Sequence, residues 1–254
     1  MSAVFPVKTA CAGRLIDVCL IKIVVKQLGL QIPSTWGGTR EGAGRKRAAG
    51  GGPGHAVRPF HDRTHPLHVT LRVVKGVGSL RRSAVAAVIV ARLRTVAHAE
   101  RFAARRKRFR VVEFSIQTDH LHLLVEARDR IELARGLQGL VGPLARVVNP
   151  VLERKGTLFC VRYHARTLET PREVRNAVVY VLANAKKHPE WDAEPITQVE
   201  RGIDPCSSAP WSRAWAQRPP PPRRLPPVCE AETWLLATGW RRRGLVGRRE
   251  CPRT

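Results

Sequence analysis

The stretch FRVVEFSIQTDHLHLLVEA, residues 109–127, decides the fold. Its halves, FRVVEFSIQ (109–117) and HLHLLVEA (120–127), are rich in β-branched and apolar residues and meet at the polar pair Thr118-Asp119, so they read as a β-hairpin. Strand side chains two apart share a face. Leu121, Leu123 and Val125 therefore point into a core, while His120 and His122 stand side by side on the opposite face, about 6.5 to 7 Å apart at their backbones.

Upstream, HVTLRVV (68–74) alternates and reads as a first strand. A helix is expected after it, capped by Ser79, with Val85, Val88, Ile89, Leu93 and Val96 recurring at helical spacing as far as the basic cluster RRKRF. Downstream, residues 129–154 form a second helical stretch in which Pro143 and Pro150 predict a kink or break. GTLFCVRYHARTLE (156–169) returns to strand. TPREVRNAVVYVLANAKKH then opens a last helix, with Thr170 as cap and Pro171 in the first turn, where its missing donor costs nothing.

Strand, helix, strand, strand, helix, strand, helix is the order of a ferredoxin-like βαββαβα arrangement. The expected class is α+β, an antiparallel four-stranded sheet with helices on one face and the other face partly open. Three regions follow: an N-terminal extension with a Gly/Arg-rich linker (1–66), the folded domain (67–190), and a Pro/Arg-rich C-terminal extension (191–254). In the last, RPPPPRRLPP predicts an extended spacer and ETWLLATGWRRRGLVG a small docking element.

Lysine and arginine number 45 against 20 acidic residues, a net charge of +25. Such a surface calls for a polyanion, and arginines spread along the whole chain favour nucleic acid over membrane. A membrane anchor needs roughly 20 consecutive apolar residues, and the most apolar early run, LIDVCLIKIVV, is interrupted by Asp17 and Lys22. The six cysteines are scattered without a CxxC pair, which suits a reducing cytoplasm and indicates neither a zinc knuckle nor a disulfide framework.

Two histidines separated by one residue are a weak metal signal by themselves, and a tyrosine among apolar helix residues more often packs than reacts. The last helix raises both. Tyr180, Asn184 and Lys187 share one helical face, an unusual choice for packing alone. A phenol with a pKa near 10 is a poor nucleophile at neutral pH, but it can attack a phosphodiester if a metal polarises the phosphate and a nearby cation favours phenolate. His120, His122 and the Asn184 carbonyl offer a mixed nitrogen and oxygen site with open positions, suited to Mg²⁺ or Mn²⁺ rather than structural zinc.

With these residues in view, segment 68–188 resembles the HUH single-strand transposases, most closely the REP-associated tyrosine transposases. The matching stretches are HVTLRVV, DHLHLLVEA, GTLFCVRYHARTL and YVLANAKKH. The resemblance implies a nuclease that cuts single-stranded DNA beside a hairpin, with Tyr180 as nucleophile forming a 5′-phosphotyrosine and releasing a 3′-hydroxyl. It makes His120, His122 and Asn184 the metal ligands, and several such proteins act as homodimers. Asp119 is a departure, since relatives usually carry asparagine there.

Lys187, Arg162, Arg166, Arg172 and Arg175 are the expected phosphate contacts, which position a strand without reading its bases. A two-histidine phosphoesterase would need a second H-x-T/S beside HVT (68–70), and none exists. The competing reading is a domesticated, non-cleaving protein that binds hairpin DNA or RNA.

Overall fold

The computed structural model describes residues 60–160, 163–187 and 203–252. The chain divides into two units, Met1–His55 and Ala56–Thr254, and the described residues all belong to the second. The expectations for residues 1–59, most of the N-terminal extension, lie outside the described residues.

Four strands, β1 (Leu67–Arg72), β2 (Phe109–Ile116), β3 (His120–Ala127) and β4 (His164–Thr167), form one antiparallel sheet in the order β2-β3-β1-β4. Helix α1 (Ser83–His98) and the short α2 (Ala103–Arg106) join β1 to β2, α3 (Arg130–Val151) joins β3 to β4, and α4 (Pro171–Ala183) follows β4. The class and the order of elements along the chain are those expected. Strand alternation sets the first core: Leu67, Val69 and Leu71 of β1 and Leu121, Leu123 and Val125 of β3 are buried among Val85, Ile89 and Leu93 of α1 and Leu137, Leu140 and Leu144 of α3. Each such side chain contributes roughly 1.5–3 kcal/mol by leaving water.

Strand β2 breaks the alternation. Phe109 and Val111 face this core, and so do Phe114 and Ile116, a change of parity. A bulge between Val111 and Glu113 absorbs it by inserting one extra residue, so that Val112 and Glu113 both fall on the opposite face.

Two helix expectations are corrected. Ser79 is not the cap of α1, which begins at Ser83 behind Arg82 with no side-chain cap. Leu80 N–H donates to Thr118 O (2.9 Å) and the buried Arg81 to Ile116 O (2.9 Å), tying this segment to the hairpin before the helix can start. Helix α3 runs unbroken through Pro143 and Pro150, from an Asp129 cap that accepts from Ile131 N and Glu132 N. Pro143 deprives Gly139 O of its usual donor, and the Arg105 guanidinium approaches that carbonyl at 3.5 Å. The Thr170 cap of α4 is as expected: Glu173 N donates to Thr170 Oγ1, and Glu173 accepts from Thr170 N in return.

The second sheet face is not left open, nor is helix packing confined to one face. Helix α4 lies there, and residues 203–252 fold over it rather than trailing as an extended tail. Val112 and Leu124 from the sheet and Val174, Val178, Val181 and Leu182 from α4 form a second core with Trp215, Leu235, Leu236, Trp240 and Val246. Both buried indoles donate, Trp215 to Ala209 O and Trp240 to Leu236 O, each at 2.9 Å. Helix α5 (Trp234–Ala237) is anchored by Glu126, which accepts from Glu232 N, Thr233 N and the Thr233 hydroxyl. The same segment covers the outer edge of β2 through Ile116 N to Cys206 O, Ser208 N to Phe114 O and Cys229 N to Val111 O. The docking element expected in ETWLLATGWRRRGLVG supplies Leu235, Leu236, Trp240 and Val246 to this core, whereas Trp215 carries no helical or strand period to announce its place.

Candidate active site

The sheet register assembles a polar cluster on the second face. Thr70 stands opposite His122 on one side and His164 on the other, Arg72 opposite His120, and His68 opposite Leu124 and Arg166. Cross-strand partners share a face, so β1 contributes His68, Thr70 and Arg72 to the surface that carries His120 and His122.

The imidazoles of His120 and His122 are nearly perpendicular, at 84°, with their Nε2 atoms 2.8 Å apart. His122 is buried, and its Nδ1 lies 3.1 Å from His68 Nε2 and 3.2 Å from Thr70 Oγ1. His120 Nδ1 is 2.6 Å from Asp119 Oδ1, while Asp119 Oδ2 accepts from Arg72 Nε and Nη2 at 3.1 and 2.9 Å.

Burial pushes His122 far below the usual histidine range, helped by His120 and His68. Burial, with His164, Arg166 and His120 nearby, takes His68 down to about 4. Both rings are neutral at pH 7, the form that offers a lone pair. Burial opposes ionisation of Asp119, but hydrogen bonds from His120 and Arg72 outweigh it and hold the carboxyl below its ordinary value.

Helix α4 brings up the tyrosine. Tyr180 packs edge-on to His122, ring centroids 5.0 Å apart, and lies 5.5 Å from His68. Burial raises its phenol, so a neighbouring cation is needed to favour phenolate. One turn later Asn184 is 2% exposed, and its Oδ1 is buried with no hydrogen-bond partner among the described residues. Such an orphan acceptor is costly unless a cation or donor comes to it. Two imidazoles and an amide oxygen are nitrogen and oxygen donors of the kind that bind divalent cations. Among the described residues no group of three or more His, Cys, Asp or Glu side chains is arranged to hold a metal.

A cavity of about 680 Å³ opens over the cluster, lined by His68, Thr70, His122, His164 and Tyr180 with Arg166 and Arg172 at its side. Residues 77–184 match the family model for IS200-like transposases. The IS200-like match takes in His120, His122, Tyr180 and Asn184, and stops short of His68 and Thr70 at its N-terminal end. No curated protein matches the chain. A solved structure of a REP-associated tyrosine transposase bound to a REP hairpin is similar over 54% of this chain and 74% of that one, with 12% identity and a TM-score of 0.38.

Of the expected phosphate contacts, Arg172 is exposed at the cavity and Arg166 pairs with Glu173 at 3.0 Å. Arg175 is occupied: it donates to both Glu250 oxygens (2.8 and 3.0 Å) and to the carbonyls of Gly244 and Leu245. Arg162 lies outside the described residues, as does the side chain of Lys187. Sequence reasoning missed His68, Thr70 and His164 as members of the cluster. The alternation of β1 would have found the first two, because burying Leu67, Val69 and Leu71 puts His68 and Thr70 on the face of the histidine pair.

Proposed function

We propose that this protein is a metal-dependent endonuclease and transposase of single-stranded DNA, cutting beside a hairpin through a covalent phosphotyrosine. The observation that carries this reading is Tyr180 held edge-on to His122, whose Nε2 converges with that of His120 on one point beside the cavity. The IS200-like match over residues 77–184 supports DNA as substrate, and so does the charge of +25.

His120, His122 and the Asn184 carbonyl are the residues that would hold Mg²⁺ or Mn²⁺. When bound, the ion supplies charge that polarises the scissile phosphate and favours phenolate. Tyr180 Oη then forms a bond to the phosphorus as the bond from phosphorus to the 3′ oxygen breaks. The phenolic proton passes to solvent, and the departing 3′ oxygen takes one up to leave as hydroxyl. Arg166 and Arg172 bind the flanking phosphates, while the packing of α4 on the sheet fixes the tyrosine against the histidines. Helix α4 hydrophobics thus serve catalysis by setting an angle.

The test is incubation of the full chain with labelled single-stranded hairpin oligonucleotides, including those from the flanks of its own gene, and Mn²⁺. A covalent protein–DNA adduct forms with the native chain and disappears in Tyr180→Phe. Binding without any adduct across such a panel refutes cleavage and leaves a hairpin-binding protein.

A further inference from the structure

The two histidines of the proposed metal site are each held from behind, and by different chemistry. On His120 the atom facing the site is Nε2, and Nδ1 on the far side of the ring meets Asp119 Oδ1 at 2.6 Å. A carboxylate only accepts, so this contact requires the proton on Nδ1 and leaves the Nε2 lone pair directed into the site. The other oxygen of Asp119 takes two hydrogen bonds from Arg72, the residue paired with His120 across the sheet.

On His122 the arrangement is built from neutral groups. Its Nδ1 meets His68 Nε2 at 3.1 Å and Thr70 Oγ1 at 3.2 Å, again leaving Nε2 to face the site. Donors on a common ion with bonds of about 2.0–2.2 Å stand about 3 Å apart at adjacent positions, close to the 2.8 Å between these Nε2 atoms.

We infer that Asp119 and His68 are positioning residues, which fix His120 and His122 with both Nε2 atoms converging on one cation, with Arg72 holding Asp119 and Thr70 meeting His122 Nδ1 beside His68. The inference rests on the metal reading of the site given above. It gives Asp119 a structural assignment: an outer carboxylate that orients a ligand rather than a ligand itself. Outer partners of this kind are worth about 10- to 100-fold in metal affinity.

The test is Mn²⁺ affinity of the full chain, read by calorimetry and by the paramagnetic resonance signal of free Mn²⁺, with melting temperatures to confirm folding. The native chain binds Mn²⁺ and His120→Ala abolishes binding. Asp119→Ala weakens it about 10- to 100-fold, whereas Asp119→Asn, whose amide oxygen still accepts from Nδ1, stays within about threefold of native. His68→Ala likewise weakens binding, and His68→Gln restores most of it. If His120→Ala abolishes binding but Asp119→Ala and His68→Ala bind as tightly as the native chain, or if both Asp119 variants lose affinity equally, the positioning roles are wrong and the metal site stands. If the native chain does not bind Mn²⁺, or His120→Ala binds as well as it does, the metal reading falls and this inference with it.

Discussion

Arg81 and Asp204 form a two-pronged ion pair, Nη1 to Oδ2 and Nη2 to Oδ1, each 3.0 Å, between positions 123 residues apart. Both side chains are 2% exposed. Arg81 also donates to Ile116 O, and Asp204 accepts from Cys206 N, so the pair pins the C-terminal segment to the hairpin at the point where β2 ends. Removing one partner strands a buried charge. Arg81→Met and Asp204→Asn are each expected to cost about 3–5 kcal/mol in denaturant unfolding, and the double variant less than their sum. Additive losses would show that the pair contributes no coupling.

Glu113 gives the protein a pH-dependent stability. It follows the β2 bulge, Oε1 accepts from Ser212 at 2.7 Å, and Oε2 is buried with no partner among the described residues. Burial pushes its carboxyl up to about 7, against hydrogen bonds from Ser208 and Ser212 that act the other way. Between the ordinary glutamate value and about 7, the folded chain binds more protons than the unfolded chain, so stability falls as pH rises through that window and levels off above it. Glu113→Gln is expected to raise the melting temperature at pH 8, by on the order of 1–3 kcal/mol in stability, and to change it little at about pH 5. An equal change at both values would refute the assignment.

Helix α3 offers the same substitution with opposite signs. A Cβ at Gly136 would run into the ring of Phe109, whereas one at Gly142 meets nothing within 4 Å. Gly136→Ala is expected to destabilise by about 1–3 kcal/mol, because helix and strand must part. Gly142→Ala should stabilise by about 0.5–1 kcal/mol through helix propensity alone. Thermal melts of the two variants check both signs.

A second cleft, about 780 Å³, opens at the end of the sheet where β3 finishes, with Arg63, Lys107 and Arg128 exposed along it. Arg110 in the same cleft is already paired with Glu126 and Glu232. If the exposed three bind phosphates, Lys107→Glu with Arg128→Glu lowers hairpin affinity and flattens its dependence on salt concentration, by about one unit of slope for each phosphate no longer neutralised. An unchanged slope would place the DNA elsewhere.

The order of elements was legible because each carries its own period. Alternation in HLHLLVEA assigned His120 and His122 to one face and Leu121, Leu123 and Val125 to the other, and helical spacing put Tyr180 and Asn184 together. Thr170 announced its helix by a cap that needs only residues three apart. Ser79 misled because a cap signal says nothing of the tertiary bonds from Leu80 and Arg81 that delay the helix to Ser83.

By itself, then, the sequence determined which residues alternate, which recur at helical spacing, and so which side chains travel together. Only the tertiary structure decided what those faces meet. It placed β1 beside β3 so that His68 and Thr70 reach His122, laid α4 on the histidine face so that Tyr180 lies 5.0 Å from His122, and occupied Arg175 with Glu250. The physical reason is range: periodicity is a property of a few consecutive residues, while register and layer order follow from burying apolar faces that lie far apart in the chain, such as those of Leu124 and Trp240 in the second core.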